Sequence, residues 1–214
     1  MYENLDSKKR CLGWRKKILE ISQLVPALHI APAFSCVEIT DVTYFDLMQN
    51  GKDGFKDIFI MSKGHACIIQ YIILNHFKVI EETELLNYCT IKGSLGAHPD
   101  FGTPGIHAST GSLGHGLGIA LGQAYAEIVK KSGIKVFCLL SDGELQEGST
   151  WEAFMMGSNL QVNNIVALID LNDFGGLERM SDGHKGFYPV VDKIRAFGWE
   201  VFEVDGHSSR EIVD

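Results

Sequence analysis

Apolar positions recur along the chain with two alternating periods. Trp14, Ile18, Ile21 and Val25 are spaced by four, three and four, which predicts a helix over 8–25 with one buried stripe, stopped with the help of Pro26. Ser35-Cys-Val-Glu38 is a capping-box pattern and predicts a second helix over 35–49. Asp57-Ile-Phe-Ile-Met61 is a short apolar run that halts at Ser62-Lys-Gly-His65, after which 66–77 reads as a buried helix. A further helix is predicted over 112–131. Ile134-Lys-Val-Phe-Cys-Leu-Leu140 is almost continuously apolar, as a strand covered on both faces requires, and it stops at Ser141-Asp-Gly-Glu144. A helix over 148–160 and a second buried strand, Asn164-Ile-Val-Ala-Leu-Ile-Asp170, follow, and that strand stops at Asn172-Asp-Phe-Gly-Gly176. Trp199-Glu-Val-Phe-Glu-Val204 predicts a third strand. Ser208-Ser-Arg-Glu211 is another capping box, opening a helix on which the sequence stops, so the chain is expected to end inside a fold element. Strands alternating with helices predict an α/β fold with a central parallel sheet flanked by helices, in one domain over 1–214.

Composition narrows the chemistry. Net charge is -8, from 19 Lys+Arg against 27 Asp+Glu, and the longest basic groups are Lys8-Lys9-Arg10 and Arg15-Lys16-Lys17, so a nucleic-acid backbone is excluded as the expected partner. The charge-free segments 21–37 and 101–126 contain prolines, or glycines, serines and histidines, and neither reads as a membrane span. Five widely separated cysteines, with no C-x-x-C pair, read as small buried thiols in a reducing compartment, and the acidic, polar N-terminus carries no secretory signal, so a cytoplasmic location is expected. Glycine is in excess, 23 residues where average usage of about 7% would give roughly 15, and suggests close backbone approach to something.

The two strands ending at Asp142 and near Asn172 bring both residues to the carboxyl edge of a parallel sheet, where open α/β sheets bind ligands. Asp, Asn and a backbone carbonyl are hard oxygen donors of the kind Mg²⁺ or Ca²⁺ takes, and such ions commonly bridge to phosphate. Taken singly, each residue reads better as an ordinary strand terminator. The coincidence of both, thirty residues apart, with Gly143 and the pair Glu147-Gly148 favours a site.

Ser141-Asp-Gly-Glu-Leu-Gln-Glu-Gly148, followed through Trp151-Glu152 to Asp170-Leu-Asn172, resembles the thiamine diphosphate fingerprint that begins with Gly-Asp-Gly and ends in Asn, and more narrowly the diphosphate-binding half of transketolases. Further matches fall in order: His29, Ser62-Lys-Gly-His65, Gly96-Ala-His98-Pro99, Ser109-Thr-Gly-Ser-Leu-Gly-His-Gly116, Phe197-Gly-Trp199 and Asp205-Gly-His207, so the resemblance covers roughly 10–210. It implies a three-layer thiamine-diphosphate-binding fold in which Asp142, Asn172 and the carbonyl of Phe174 hold Mg²⁺ (or Ca²⁺), Gly143 and His65 contact the diphosphate, Glu144 belongs with the cofactor-binding residues, and Gly114 lies against the cofactor. It also implies that His29, His65 and His98 line the substrate channel, and that Glu147 and Glu152 sit at a subunit contact linking two active sites, with Glu147 counted among the catalytic groups. The sequence departs from the pattern at Ser141 for the first glycine, at Ala31-Pro32 after His29, and at His115 for a glutamine. His76, His107 and His184 receive no role, and His207 reads as a turn or cap residue. Gly118 and Gly122, with Ala120 and Ala124, read as a surface for close packing of a helix or subunit.

The resemblance further implies the activating glutamate of a pyrimidine-binding domain, which nothing here matches. The expectation is therefore half of an enzyme: an N-terminal subunit transferring a two-carbon ketol unit between sugars or sugar phosphates, paired with a C-terminal pyrimidine-binding subunit as α2β2. A ketol transferase of surface-sugar biosynthesis, an alpha-type subunit of a 2-oxo-acid dehydrogenase, and a non-catalytic relative are the alternatives. The histidine set favours sugars over oxo acids.

Overall fold

The computed structural model describes residues 5–25, 28–51, 54–176 and 178–214, with no side-chain description for Leu5 and Asp6. The chain divides into two compact units, one formed by Met1–Lys56, Gly64–Gly111 and Val204–Asp214, the other by Asp57–Lys63 and Ser112–Glu203.

The first unit is helical. α1 (Leu5–Ser22) buries the predicted stripe through Ile18 and Ile21, with Val25 buried just beyond its end. It starts and stops three residues before the expected limits, and Pro26 lies outside the described residues. The helix predicted over 35–49 is instead α2 (Ile30–Ser35), α3 (Val37–Val42) and one π-helical turn, Thr43–Leu47. The Ser35/Glu38 capping box does not form, because Glu38 faces Arg15 and accepts two hydrogen bonds from its guanidinium at 2.5 and 2.7 Å. Asp41, fully buried, ties α3 to α1 by accepting from Ser7 Oγ, Arg10 and the Trp14 indole at 2.7–2.9 Å. β1 (Asn50–Gly51) and β2 (Gly54–Phe55) make a small antiparallel pair that the apolar pattern did not signal. A 3-10 turn, Gly64–Ala66, leads into α4 (Cys67–His76), which is apolar all round and buried along most of its length, and α5 (Glu82–Leu86) follows.

The second unit is the α/β part. β3 (Ile58–Met61), β4 (Val136–Ser141) and β5 (Ile165–Asp170) form a parallel sheet in the order β3-β4-β5, with Met61 opposite Leu139 and Ser141 opposite Asp170. β4 is central and buried at every position, as its unbroken apolar run requires. β5 is an edge strand, so its equally apolar run is only partly covered and Val166 stays 37% exposed. α6 (Gly116–Lys130) packs on the sheet and α7 (Gly148–Asn159) on α6. Helix α6 can begin at Gly116 only because that residue lacks a side chain: a Cβ would fall 2.1 Å from Ser62 Oγ. α8 (Met180–Gly183) and α9 (Val190–Ala196) complete the unit.

The strand expected over 199–204 does not form. Trp199 is drawn onto α7, its indole donating to the Phe154 carbonyl at 2.8 Å and its ring meeting the Phe154 ring edge-on, while Phe202 is left 76% exposed. Among the described residues no strand pairs with this stretch, so its alternation is not used. α10 (Ser209–Val213) realises half of its capping box: Ser208 accepts from the Glu211 N–H, but the Glu211 carboxylate turns to the Asp205 N–H. Four of the five cysteines are buried and all are free, the thiols of Cys11 and Cys67 being pushed up to about 12 by burial. Among the described residues no helix is long and apolar enough to cross a membrane.

Candidate functional site

Each unit carries one of the two predicted constellations. In the second unit the chain leaves β4 at Ser141 and turns at once into a 3-10 segment, Asp142–Gln146, so Asp142 stands at the carboxyl edge of the sheet. Its side chain is 1% exposed, with Oδ1 accepting from the Gly143 N–H at 2.9 Å and Oδ2 finding no hydrogen-bond partner among the described residues. Burial raises the Asp142 pKa above the ordinary carboxylate value, against the lowering effect of nearby backbone N–H groups. A buried carboxylate oxygen without a donor is costly unless something cationic meets it, so this residue fits a metal ligand better than a turn residue.

Asn172 lies two residues beyond β5, half-buried, and its Oδ1 accepts from the Phe174 N–H at 2.9 Å, which turns the chain tightly at the predicted third ligand. Asp173, at φ +67°, fixes the rest of the loop by accepting from Ser181 N–H and Oγ, Tyr188 Oη and Arg179. The candidate donor set is one carboxylate, one amide and one carbonyl, hard oxygen donors. The described residues contain no group of three His, Cys, Asp or Glu able to hold a metal.

Glu144 sits in the 3-10 segment that follows β4. Fully buried, it accepts from Ser62 Oγ at 2.5 Å and the Gly114 N–H at 3.1 Å through Oε1, and from the Ser141 N–H at 3.0 Å through Oε2. Both oxygens are engaged within the chain, where they hold together the ends of β3 and β4 and the loop before α6. Gly114 likewise has an internal reason to be glycine: its φ is +82°, and a Cβ would lie 2.4 Å from that of Glu147. Glu147 and Glu152 are exposed. The faces of Gly118 and Gly122 are open, with nothing within 4 Å of a Cβ, whereas Ala120 and Ala124 are buried, so the small residues occupy two faces of α6 and not one.

The first unit gathers the three predicted histidines. His29 precedes α2, His65 sits in the 3-10 turn and His98 in the following loop, and the His29 ring centroid is 6.1 Å from that of His65 and 6.2 Å from that of His98. Three imidazoles at that spacing, one exposed and two half-buried, offer ring nitrogens able to hydrogen-bond a polyhydroxylated molecule. The other histidines separate from them. His76 packs among Trp14, Phe45 and Phe77. His107 is half-buried and its pKa is lowered by burial. His115 contacts the Leu113 carbonyl at 3.1 Å, His184 lines a surface cleft of about 530 Å³ beside Trp151, and His207 reaches Glu38 at 3.2 Å.

The motif pattern passed over Lys63 and Asp170, which form a buried ion pair at the sheet edge, with side chains 1% and 7% exposed. A signal was present: a lysine two residues after an apolar strand and an aspartate at the last position of another are charges placed where burial is expected.

The sequence model of the family described as the thiamine diphosphate binding domain of transketolase matches residues 29–214. A subunit of apulose-4-phosphate transketolase from Phocaeicola vulgatus is 34% identical over 203 residues, covering 93% of this chain and 72% of that protein. Human transketolase is 38% identical over 190 residues, but those span 86% of this chain and only 30% of the human one. Among solved structures, transketolase from Campylobacter jejuni superposes with a TM-score of 0.86 at 25% identity, over 97% of this chain and 34% of that one, and transketolase from Leishmania mexicana with 0.84 at 23% identity, over 97% and 33%.

Proposed function

The chain belongs to the transketolase thiamine diphosphate binding domain family, and on that premise we propose that it is the N-terminal subunit of a transketolase-type transferase, moving a two-carbon ketol unit between sugars or sugar phosphates. The observation that carries the reading is the buried Asp142 carboxylate, whose Oδ2 meets no donor among the described residues at the carboxyl edge of β4, while Gly143, Asn172 and Phe174 stand in the adjoining loops. Asp142, Asn172 and the Phe174 carbonyl would hold Mg²⁺, with Gly143 against the diphosphate. Thiamine diphosphate, when bound, supplies the carbon centre at which carbon-carbon bonds are broken and made. Within the first unit, His29, His65 and His98 bind substrate hydroxyls and take up and return their protons, a role suited to imidazoles and better matched to sugars than to oxo acids.

The activating glutamate comes from a C-terminal, pyrimidine-binding partner, in an α2β2 assembly. The Phocaeicola relative is named as one subunit of a transketolase, which supports a divided enzyme, and a two-fold arrangement is the commonest closed one. Exposed Glu147 and Glu152 and the open Gly118/Gly122 face belong to the subunit contact. Free, mostly buried thiols are in keeping with the cytoplasm.

Calorimetric titration with thiamine diphosphate, with and without Mg²⁺, tests the site. Metal-dependent heat from the wild type and its loss in a folded Asp142→Asn variant are expected. Equal heats from both would remove Asp142 from the metal site, and no heat even with the companion chain present would reduce the protein to a non-catalytic relative.

A further inference from the structure

Lys63 lies two residues beyond β3, yet its ammonium is buried on Asp170, the last residue of β5. Because the sheet order is β3-β4-β5, this side chain must pass the end of the central strand to reach its partner. Its own N–H donates to the Leu139 carbonyl of β4 at 3.0 Å, so one residue is fixed to β4 by its backbone and to β5 by its side chain. Ser141, opposite Asp170 in the register, immediately precedes Asp142, and Asn172 follows Asp170 by two residues. β4 ends two residues past Leu139 and β5 ends at Asp170, so the two loops that carry the candidate ligands leave the sheet beside the positions this lysine joins. Ser62, the preceding residue, is tied to the loop after β4 by donating to Glu144.

We propose that Lys63 is a positioning residue for the metal and diphosphate site: clamped on Asp170 across the end of β4, it sets the separation of the Asp142 and Asn172 turns. This rests on the proposed cofactor reading and adds a residue that would touch neither metal nor cofactor. A long buried cation is suited to the task because its backbone is held on β4 and its ammonium on the end of β5. Residues that orient metal ligands from behind typically change affinity by about 10–100-fold when altered.

The test uses the full chain as Lys63→Met and as the double variant Lys63→Met with Asp170→Leu, which removes both buried charges and remains informative if the single variant does not fold. Hydrogen exchange is measured without cofactor, and binding of thiamine diphosphate with Mg²⁺ by calorimetry. Faster exchange at the Gly143 and Phe174 amides, with the Cys138 amide inside β4 unchanged, is expected, together with affinity about 10–100-fold weaker in the double variant even where its melting temperature returns to the wild-type value. Wild-type exchange at Gly143 and Phe174, or wild-type affinity in the double variant, would overturn the clamp and leave the pair a matter of stability. If the wild type itself gives no metal-dependent heat, the cofactor reading fails separately, and the exchange data still decide whether Lys63 orders the two turns.

Discussion

Replacing Glu144 by alanine should damage the fold more than most single changes, and the structure sets the amount. The carboxylate is fully buried and accepts three hydrogen bonds, from Ser62 Oγ, the Gly114 N–H and the Ser141 N–H. Truncation strands all three donors. The Ser62 hydroxyl can rotate to another acceptor, but the two backbone N–H groups are fixed, and each buried donor left unmade costs about 1–3 kcal/mol, so the loss should be roughly 2–6 kcal/mol. Against a typical total of about 5–15 kcal/mol, that is a substantial fraction. Glu144→Gln is the informative companion. With its carbonyl oxygen in the Oε1 position it keeps Ser62 and Gly114 and turns its amide toward the Ser141 N–H, losing one bond instead of three, or about 1–3 kcal/mol. Urea denaturation should therefore rank wild type above Glu144→Gln and Glu144→Ala lowest, with hydrogen exchange rising first at Gly114 and Ser141. An alanine variant within about 1 kcal/mol of wild type, or a glutamine variant as unstable as the alanine one, would refute the reasoning that this carboxylate binds the chain to itself.

Gly116→Ala should lower the urea midpoint by an amount worth about 1–3 kcal/mol, since its Cβ would fall 2.1 Å from Ser62 Oγ and 2.8 Å from Ser62 Cα; an unchanged midpoint would mean that β3 yields freely. Gly118→Ala and Gly122→Ala meet nothing within 4 Å and should each stabilise the isolated chain by about 0.5–1 kcal/mol in the same assay, and a loss would place something against that face already in the lone chain. For Glu38, burial raises the pKa but the Arg15 and His207 hydrogen bonds outweigh it, and the net shift is downward from 4.5. Its contribution is therefore full above the unfolded value and fades as pH falls through the lower folded one. Thermal melts between pH 6 and 3 (roughly the range bracketing a carboxylate) should show a shallower acid loss in Glu38→Gln than in wild type.

Periodicity alone located the helices now seen at Cys67–His76 and Gly148–Asn159, and the strands Val136–Ser141 and Ile165–Asp170, within a residue or two, because each is a local pattern with a clear stop. The order of short motifs named Asp142, Asn172 and the three histidines as candidates, since residue type and place in the chain are written in the sequence itself. What partners do to a segment is not written there. The 199–204 alternation reads as a strand, but pairing needs a neighbour, and Trp199 found a carbonyl on a helix instead. Apolar runs alike in sequence became a fully buried strand and a partly exposed one because the order β3-β4-β5 puts one at the centre and the other at the edge. Glu38 and Glu144 both look like local acidic residues, one of a capping box and one of a cofactor loop, yet each is claimed by donors far along the chain. Lys63 and Asp170, 107 residues apart, meet only because parallel pairing carries the ends of β3 and β5 to the same edge. Local propensity and residue chemistry are properties of sequence neighbours, whereas burial and hydrogen-bond satisfaction are properties of neighbours in space, and those exist only once the strands have chosen their order.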